Sequence, residues 1–265
     1  MCCPSATFVV WSSAWLQGRA APDDVLDALQ VWGESQEVAA ADDAVAEIIG
    51  LPAAGAPAVP PAQLLAALRR LKASEARLVL PAAGDARGLG GASTFAAAAL
   101  SAGEAALFPD AGVGVVPNSP AEGVLRWTVH RLEHGNADEH IGIGDAEHSL
   151  VEAVRTSAGI LTELNVARDR PDAHRELRAH LKATPRLDWP DGMPGRALRV
   201  LQRADEVAAI AALAAADDPG GALSASAAMH RAQALRPLAA AVRDARRAAV
   251  GEAVRVLGER ADRHP

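Results

Sequence analysis

The sequence predicts an α+β fold: a small, mainly antiparallel sheet with helices, followed by an α-helical bundle subdomain. Short strand-like runs, RLVL, AALF, VGVV and VLRWTV, crowd the first half and are separated by prolines. Downstream of Gly144 helical periodicity continues almost to the C-terminus, broken only at Pro171, from Pro185 to Pro194, and at Pro219-Gly220-Gly221. Charge changes at the same place. Residues 1–144 carry 16 acidic and 8 basic side chains, a net of −8, whereas residues 145–265 carry 17 and 18, a net of +1. The expected domains are therefore an acidic α+β domain over 1–144 and a helical subdomain over 145–265, with charge complementarity available between them.

The elements follow in order. Phe8, Trp11, Trp15 and Leu16 fall on one face of a first helix that Gly18 ends. Pro22 suits the first position of a second helix, Asp23, Asp24 and Asp27 complement its N-terminus, and Val25, Leu26, Leu29 and Trp32 form its stripe. Trp11, Trp15 and Trp32 are expected as one core cluster between these helices. A short strand is expected around Val38, then a helix capped by Asp42 or Asp43, closed by Gly50 and stopped at Pro52. The stretch from Leu51 to Pro61 reads as a loop, and Leu64, Leu65, Leu68 and Leu71 as the next helical stripe. Strand RLVL leads through a glycine-rich loop into a helix from Phe95 to Leu100, and three strands follow, separated by Pro109, Pro117 and Pro120. Four helices should complete the chain. Leu150, Val154, Ile160, Leu161 and Leu164 mark the first, Leu177 and Leu181 the second, and Leu198, Leu201, Val207, Ile210 and Leu213 the third. Leu235, Leu238, Val242, Val250, Val254 and Leu257 mark the last, which Pro237 should bend or start.

Composition excludes several classes. Half of the 265 residues are hydrophobic but only 3% are aromatic, and 63 are alanine, so the large apolar side chains must form narrow stripes. No run of roughly 18 strongly apolar residues occurs, so no membrane span is expected. A net charge of −7 has the wrong sign for neutralising phosphates, so no nucleic-acid partner is expected. The eight arginines between Arg231 and Arg263 alternate with four acids and lack aromatics for stacking bases, and they read as a solvated or internally paired face. The only cysteines, Cys2 and Cys3, are adjacent and too few for a closed zinc site. No Lys or Arg precedes the apolar run from Ala6 to Leu16, which therefore does not read as a secretory signal, and the expected location is the cytoplasm.

Two constellations could carry chemistry. His130-Arg131-Leu132-Glu133-His134 fits the H-x-x-E-H pattern of inverzincin metallopeptidases, in which a helix brings both imidazoles to one zinc. Here the preceding VLRWTV is strand-like, and residues four apart in a strand lie about 13 Å apart, too far to share an ion. A third ligand would have to come from Glu139, His140, Asp145 or His148. His130 and His134 are the residues that would hold a metal, and a solvated hairpin end is the competing expectation.

The second constellation is the loop from Pro81 to Thr94, running from a buried strand into a helix. Gly84, Gly88, Gly90 and Gly91 would let backbone amides approach an anion, with Asp85, Arg87 and Ser93 beside them and a helix N-terminus adding positive potential. It lacks the Gly-Lys-Ser/Thr ending of a Walker loop and the third glycine of a dinucleotide fingerprint, so no cofactor is implied. Ser93 or Thr94 has an alternative role as a helix cap. No G-x-S-x-G elbow is present, and the acid pairs Asp23/Asp24, Asp42/Asp43 and Asp217/Asp218 sit at helix ends, where capping accounts for them.

RLVLPAAGDARGLGG and LRPLAAAVRDARRAAVGEAV resemble segments of hypothetical proteins from high-GC actinobacteria, as does the use of many arginines with only two lysines. The resemblance implies a source and no activity. The function expected from the residues is a non-catalytic interaction or regulatory role, with a second copy or another protein meeting the C-terminal helices. The alternative is a binder, or an enzyme, for an anionic or phosphate-containing small molecule held by the Gly84–Ser93 loop.

Overall fold

Helix α1 (Pro4–Leu16) is buried on nearly every side, with Ser5 to Val10 and Ser12 to Trp15 all inaccessible. The single apolar face read from Phe8, Trp11, Trp15 and Leu16 understates this, because small and hydroxylated residues occupy the remaining faces and allow close packing. Ser12 Oγ donates back to the Val9 carbonyl at 3.3 Å, and Thr7 Oγ1 accepts from Trp32 Nε1 at 3.0 Å. The chain is described here from a computed structural model that covers residues 3–53, 55–133, 140–163, 175–179, 187–216 and 225–261.

Helix α2 (Pro22–Leu29) begins with Asp24 Oδ2 accepting from the Ala21 N–H at 2.7 Å and ends in one 3-10 turn, Gln30–Trp32. Strand β1 (Ser35–Ala40) leads to α3 (Asp43–Ile49), where Asp42 Oδ1 accepts from the Val45 N–H at 2.8 Å and Gly50 closes the helix in the left-handed region. Helix α4 (Pro61–Arg70), β2 (Arg77–Val79), α5 (Thr94–Ala102), β3 (Ala105–Phe108), β4 (Val113–Ala121) and β5 (Val124–Arg131) follow. The three tryptophans do not form one cluster. Trp15 lies under the Arg69 guanidinium, 4.2 Å from the ring centre, Trp32 bonds Thr7, and Trp11 Nε1 donates to the Asp188 carbonyl at 3.0 Å.

The five strands form one mixed sheet in the order β1-β5-β4-β3-β2. Pairs β2–β3, β3–β4 and β4–β5 are antiparallel, and β1 joins the edge of β5 in parallel. Strand β4 runs through Pro117 and Pro120, which were expected to end strands. The register explains it. Strand β3 pairs only with Val113 to Val115, so beyond Val116 β4 has a partner on one side alone, where a missing proline N–H costs no ladder bond. The register also shifts between Asn118 and Ala121, around Pro120.

One sheet face packs on α1, with the Phe8 ring 5.0 Å from Trp127 and 5.6 Å from Phe108 between centres. The opposite face carries α5, whose Phe95, Ala96 and Ala99 pack with Val79, Leu89, Ala105, Leu107 and Val116. A Cβ at Gly114 would overlap the Phe95 ring, so β4 needs glycine where α5 crosses it.

Contacts divide the chain into two compact units. The sheet-containing unit comprises Cys3–His140, Leu187–Pro194 and Val250–Pro265, and the other comprises Met1–Cys2, Ile141–Arg186 and Gly195–Ala249. Within the second, α6 (Ile143–Glu163), a helical turn α7 (175–179), α8 (Gly195–Ala216) and α9 (Ala225–Ala261) are described, α9 supplying residues to both units. Buried Ala197, Ala204 and Ala245 keep the helices close. Arg196 meets Glu147 at 2.9 Å, Arg246 meets Asp205 at 2.7 Å, and Ser157 Oγ donates to the Ala234 carbonyl at 3.0 Å. Helix α9 continues through Pro237. Two of the expected stripes are incomplete, because Ile160 and Ile210 are exposed, and Leu164 and Leu181 lie outside the described residues.

Replacing Gly114 by Ala should destabilise the protein by about 1–3 kcal/mol through overpacking against Phe95. Adding Phe95→Leu should recover part of that loss. Urea denaturation of the single and double variants checks both, and equal stability of Gly114→Ala and the parent would contradict the packing argument.

Candidate functional site

The loop after β2 is held together from within. Ala82 and Asp85 exchange backbone hydrogen bonds of 2.9 and 2.8 Å, closing a turn over Ala83 and Gly84. The Asp85 carboxylate accepts from Arg87 Nε and Nη2, both at 2.8 Å, so the loop supplies its own counter-charge for that guanidinium. Gly84, Gly88, Gly90 and Gly91 all have positive φ. At Gly88 the requirement is also steric, since a Cβ would stand 2.7 Å from Val79 Cγ1. The next residue, Leu89, is buried in the cluster with Val79 and Phe95. Ser93 Oγ accepts from the Ala96 N–H at 3.0 Å and caps α5. Of the seven loop residues picked from sequence, the structure thus joins Asp85 to Arg87 and commits Ser93 to the helix.

His130 lies in β5, opposite Gly114 of β4, with its ring edge-on to Phe95 at 6.2 Å. It is only 7% exposed, so the solvated hairpin end does not begin at His130: alternation along the strand turns its ring to the face that carries α5. His134 and Glu139 lie outside the described residues. Among the described residues no group of three or more His, Cys, Asp or Glu could hold a metal ion. Of the acid pairs, Asp24 and Asp42 cap α2 and α3, and Asp217 and Asp218 lie outside the described residues.

Burial pushes the His130 imidazole below its ordinary value, and the Asp42 carboxylate pulls it partly back. Its Nδ1 is buried with no hydrogen-bond partner. Leaving such an atom unpartnered costs about 1–3 kcal/mol.

Beside His130 a groove of about 570 Å³ opens between α5 and the far halves of β4 and β5. Ala98, Ser101 and Ala102 of α5 form one wall, and Val116, Asn118 and Thr128 form the floor. Thr128 Oγ1 donates to Asn118 Oδ1 at 3.3 Å. On the same sheet face Arg126 Nη2 donates to Glu37 at 2.8 Å. Sequence reasoning passed over this groove, although the alternation Arg126, Thr128, His130 already marks a polar strand face. A second cavity, about 460 Å³, lies between Ile48 and Ile49 of α3 and Arg131 and Leu132 at the end of β5.

Fold and site together define an α+β protein with a mixed five-stranded sheet unit and an alanine-rich helical unit. The description Rv1486c-like protein, N-terminal domain, matches residues 5–140, and its C-terminal domain matches residues 144–247. The chain belongs to this Rv1486c-like family. It is 39% identical to the uncharacterized protein Rv1486c of Mycobacterium tuberculosis, over 94% of this chain and 96% of that protein. It is 36% identical to the uncharacterized protein ML1804 of Mycobacterium leprae and 32% to MAV321 of Mycobacterium avium, each across 94% of this chain and 97% of the relative. The actinobacterial resemblance read from the sequence is borne out by these mycobacterial relatives. No solved structure matches the chain.

The lowered His130 value has a definite pH consequence. As pH falls below the ordinary value of 6.5, the unfolded imidazole takes up a proton that the folded one resists, so stability declines until the folded ring also titrates. A His130→Leu variant should lose this part of the decline in urea melts taken down from neutral pH, and an unchanged slope would show that another group titrates. Ser93→Ala should cost about 0.5–2 kcal/mol by removing the α5 cap. The same melts at neutral pH measure it.

Proposed function

We propose that the protein is a non-catalytic interaction protein of the cytoplasm, built over residues 1–144 and 145–265, whose C-terminal helices bind a second copy of the chain. The observation that carries this reading is the exposure of large apolar side chains on those helices: Ile160 of α6 at 36%, Ile210 of α8 at 50% and Met229 of α9 at 56%. Ile160 lies one turn beyond Ser157 and Met229 just over one turn before Ala234, the two residues joined by the hydrogen bond between α6 and α9. Ile210 lies toward the C-terminal end of α8, beyond the Asp205–Arg246 pair. Exposed apolar groups such as these gain from leaving water on association. The ion pairs of Arg246, Arg247 and Arg255 with acids on α8 and α9 support the reading of the last helix as an internally paired face. Among the described residues no helix is long and apolar enough to cross a membrane.

Anion binding by the Gly84–Ser93 loop has less support, because Arg87 already holds the Asp85 carboxylate. Light scattering coupled to size exclusion tests the leading reading. A dimer mass is expected for the parent chain, with Ile210→Glu and Met229→Glu each weakening association by about tenfold or more. A monomer at every concentration would sink it.

A further inference from the structure

The cavity beside α3 lies at the carboxyl ends of β1 and β5, the one parallel pair among the described strands. Strand β1 ends at Ala40 and leads into α3, and β5 ends at Arg131. The crevice outside the carboxyl ends of parallel strands is where α/β sheets usually hold their ligands. We infer that this cavity binds a small zwitterion with an apolar side chain, the chemistry of a free aliphatic amino acid. Its volume, about 460 Å³, falls within the range of about 300–1,000 Å³ usual for small-molecule sites. The lining residues all belong to the sheet unit, so the site is independent of the association proposed above.

Arg131 and Glu133 both border the cavity, two residues apart in the chain. Arg131 pairs with Val113, and the Leu132 N–H donates to the Gly112 carbonyl at 2.9 Å, so the chain stays extended just past β5. Leu132 packs against the cluster around Phe95, and alternation leaves Arg131 and Glu133 on the other side. Among the described residues neither is ion-paired, with the other or with a third group. Neighbouring charges are engaged elsewhere: Arg70 donates to the Ile49 carbonyl, Asp110 accepts from Ser74 Oγ, and Asp42 caps α3. A cation and a carboxylate that border one cavity without neutralising each other suit a ligand carrying both charges. Arg131 offers paired N–H groups to its carboxylate, and Glu133 accepts from its ammonium. A simple anion would meet Glu133 unfavourably, and a simple cation Arg131. Across the cavity Ile48 of α3 is 49% exposed, and an aliphatic side chain packed on it removes both from water. The turn from Pro109 to Gly112 leaves the room, since a Cβ at Gly112 would meet nothing within 4 Å.

Titration of the full chain with L-leucine, leucinamide, N-acetyl-L-leucine and glycine tests the site, read by NMR at the Ile48 δ-methyl group. Leucine is expected to shift that methyl saturably and to bind about fivefold or more tightly than each of the other three, which lack the carboxylate, the ammonium and the side chain in turn. Arg131→Gln should abolish the preference for leucine over leucinamide, and Glu133→Gln the preference over N-acetyl-leucine. Both side chains are exposed, so the variants should keep the parent melting temperature. Failure of leucine to saturate, equal binding of the four probes, or unchanged preferences in both charge variants overturns the assignment.

Discussion

The packing of Phe8 on Trp127 and Phe108 is the contact on which the sheet unit depends. A chain with only 3% aromatic residues has few side chains large enough to bridge a helix and a sheet, and three of them meet here. Their burial fixes α1 over β3 and β5. Because α1 is then covered on nearly all sides, its other positions must be small, which is why serine and alanine stand beside phenylalanine and tryptophan in one helix.

On the opposite face a second aromatic ring, equally buried, plays the corresponding part. Phe95 crosses β4 over Gly114 and meets the edge of His130, and Leu89 braces it from the preceding loop. The glycine-rich loop thus has a structural use that its composition does not advertise. It delivers Leu89 into the core and Ser93 to the helix terminus, and both place α5 beside the polar strand face. Loop, helix and groove are consequences of one another.

Local signals in the sequence were read well, and distant ones were not. The α3 helix was legible to within one residue because its determinants are adjacent: of Asp42 and Asp43 it is Asp42 that caps it, and Gly50 ends it. The strands also left local marks, short apolar runs for β2 to β5 and a single valine for β1. Pairing was another matter, since nothing near Val38 shows that it lies against Trp127 in parallel. Whether Pro117 ends a strand depends on how far β3 extends, and β3 is specified elsewhere. The site follows the same rule. A cap at Ser93 or Thr94 was a local reading, whereas Arg87, read as available to an anion, is taken by Asp85, and the burial of His130 required knowing which side of β5 receives α5. Ile160 and Ile210 fitted the helical period, but periodicity reports which residues share a face and not whether anything covers it.

The parallel ladder between β1 and β5 also sets an order of events. Glu37 and Arg126, ion-paired across it, are 89 residues apart in the chain. At a ribosomal rate of about 5–20 residues per second, β1 emerges roughly 5–20 s before the strand it will pair with. Throughout that interval the backbone of β1 has no β5 edge to join, and the antiparallel meander from β3 to β5 must be made first. The first strand of the sheet to be synthesised thus cannot take its place beside β5 until the last strand has emerged.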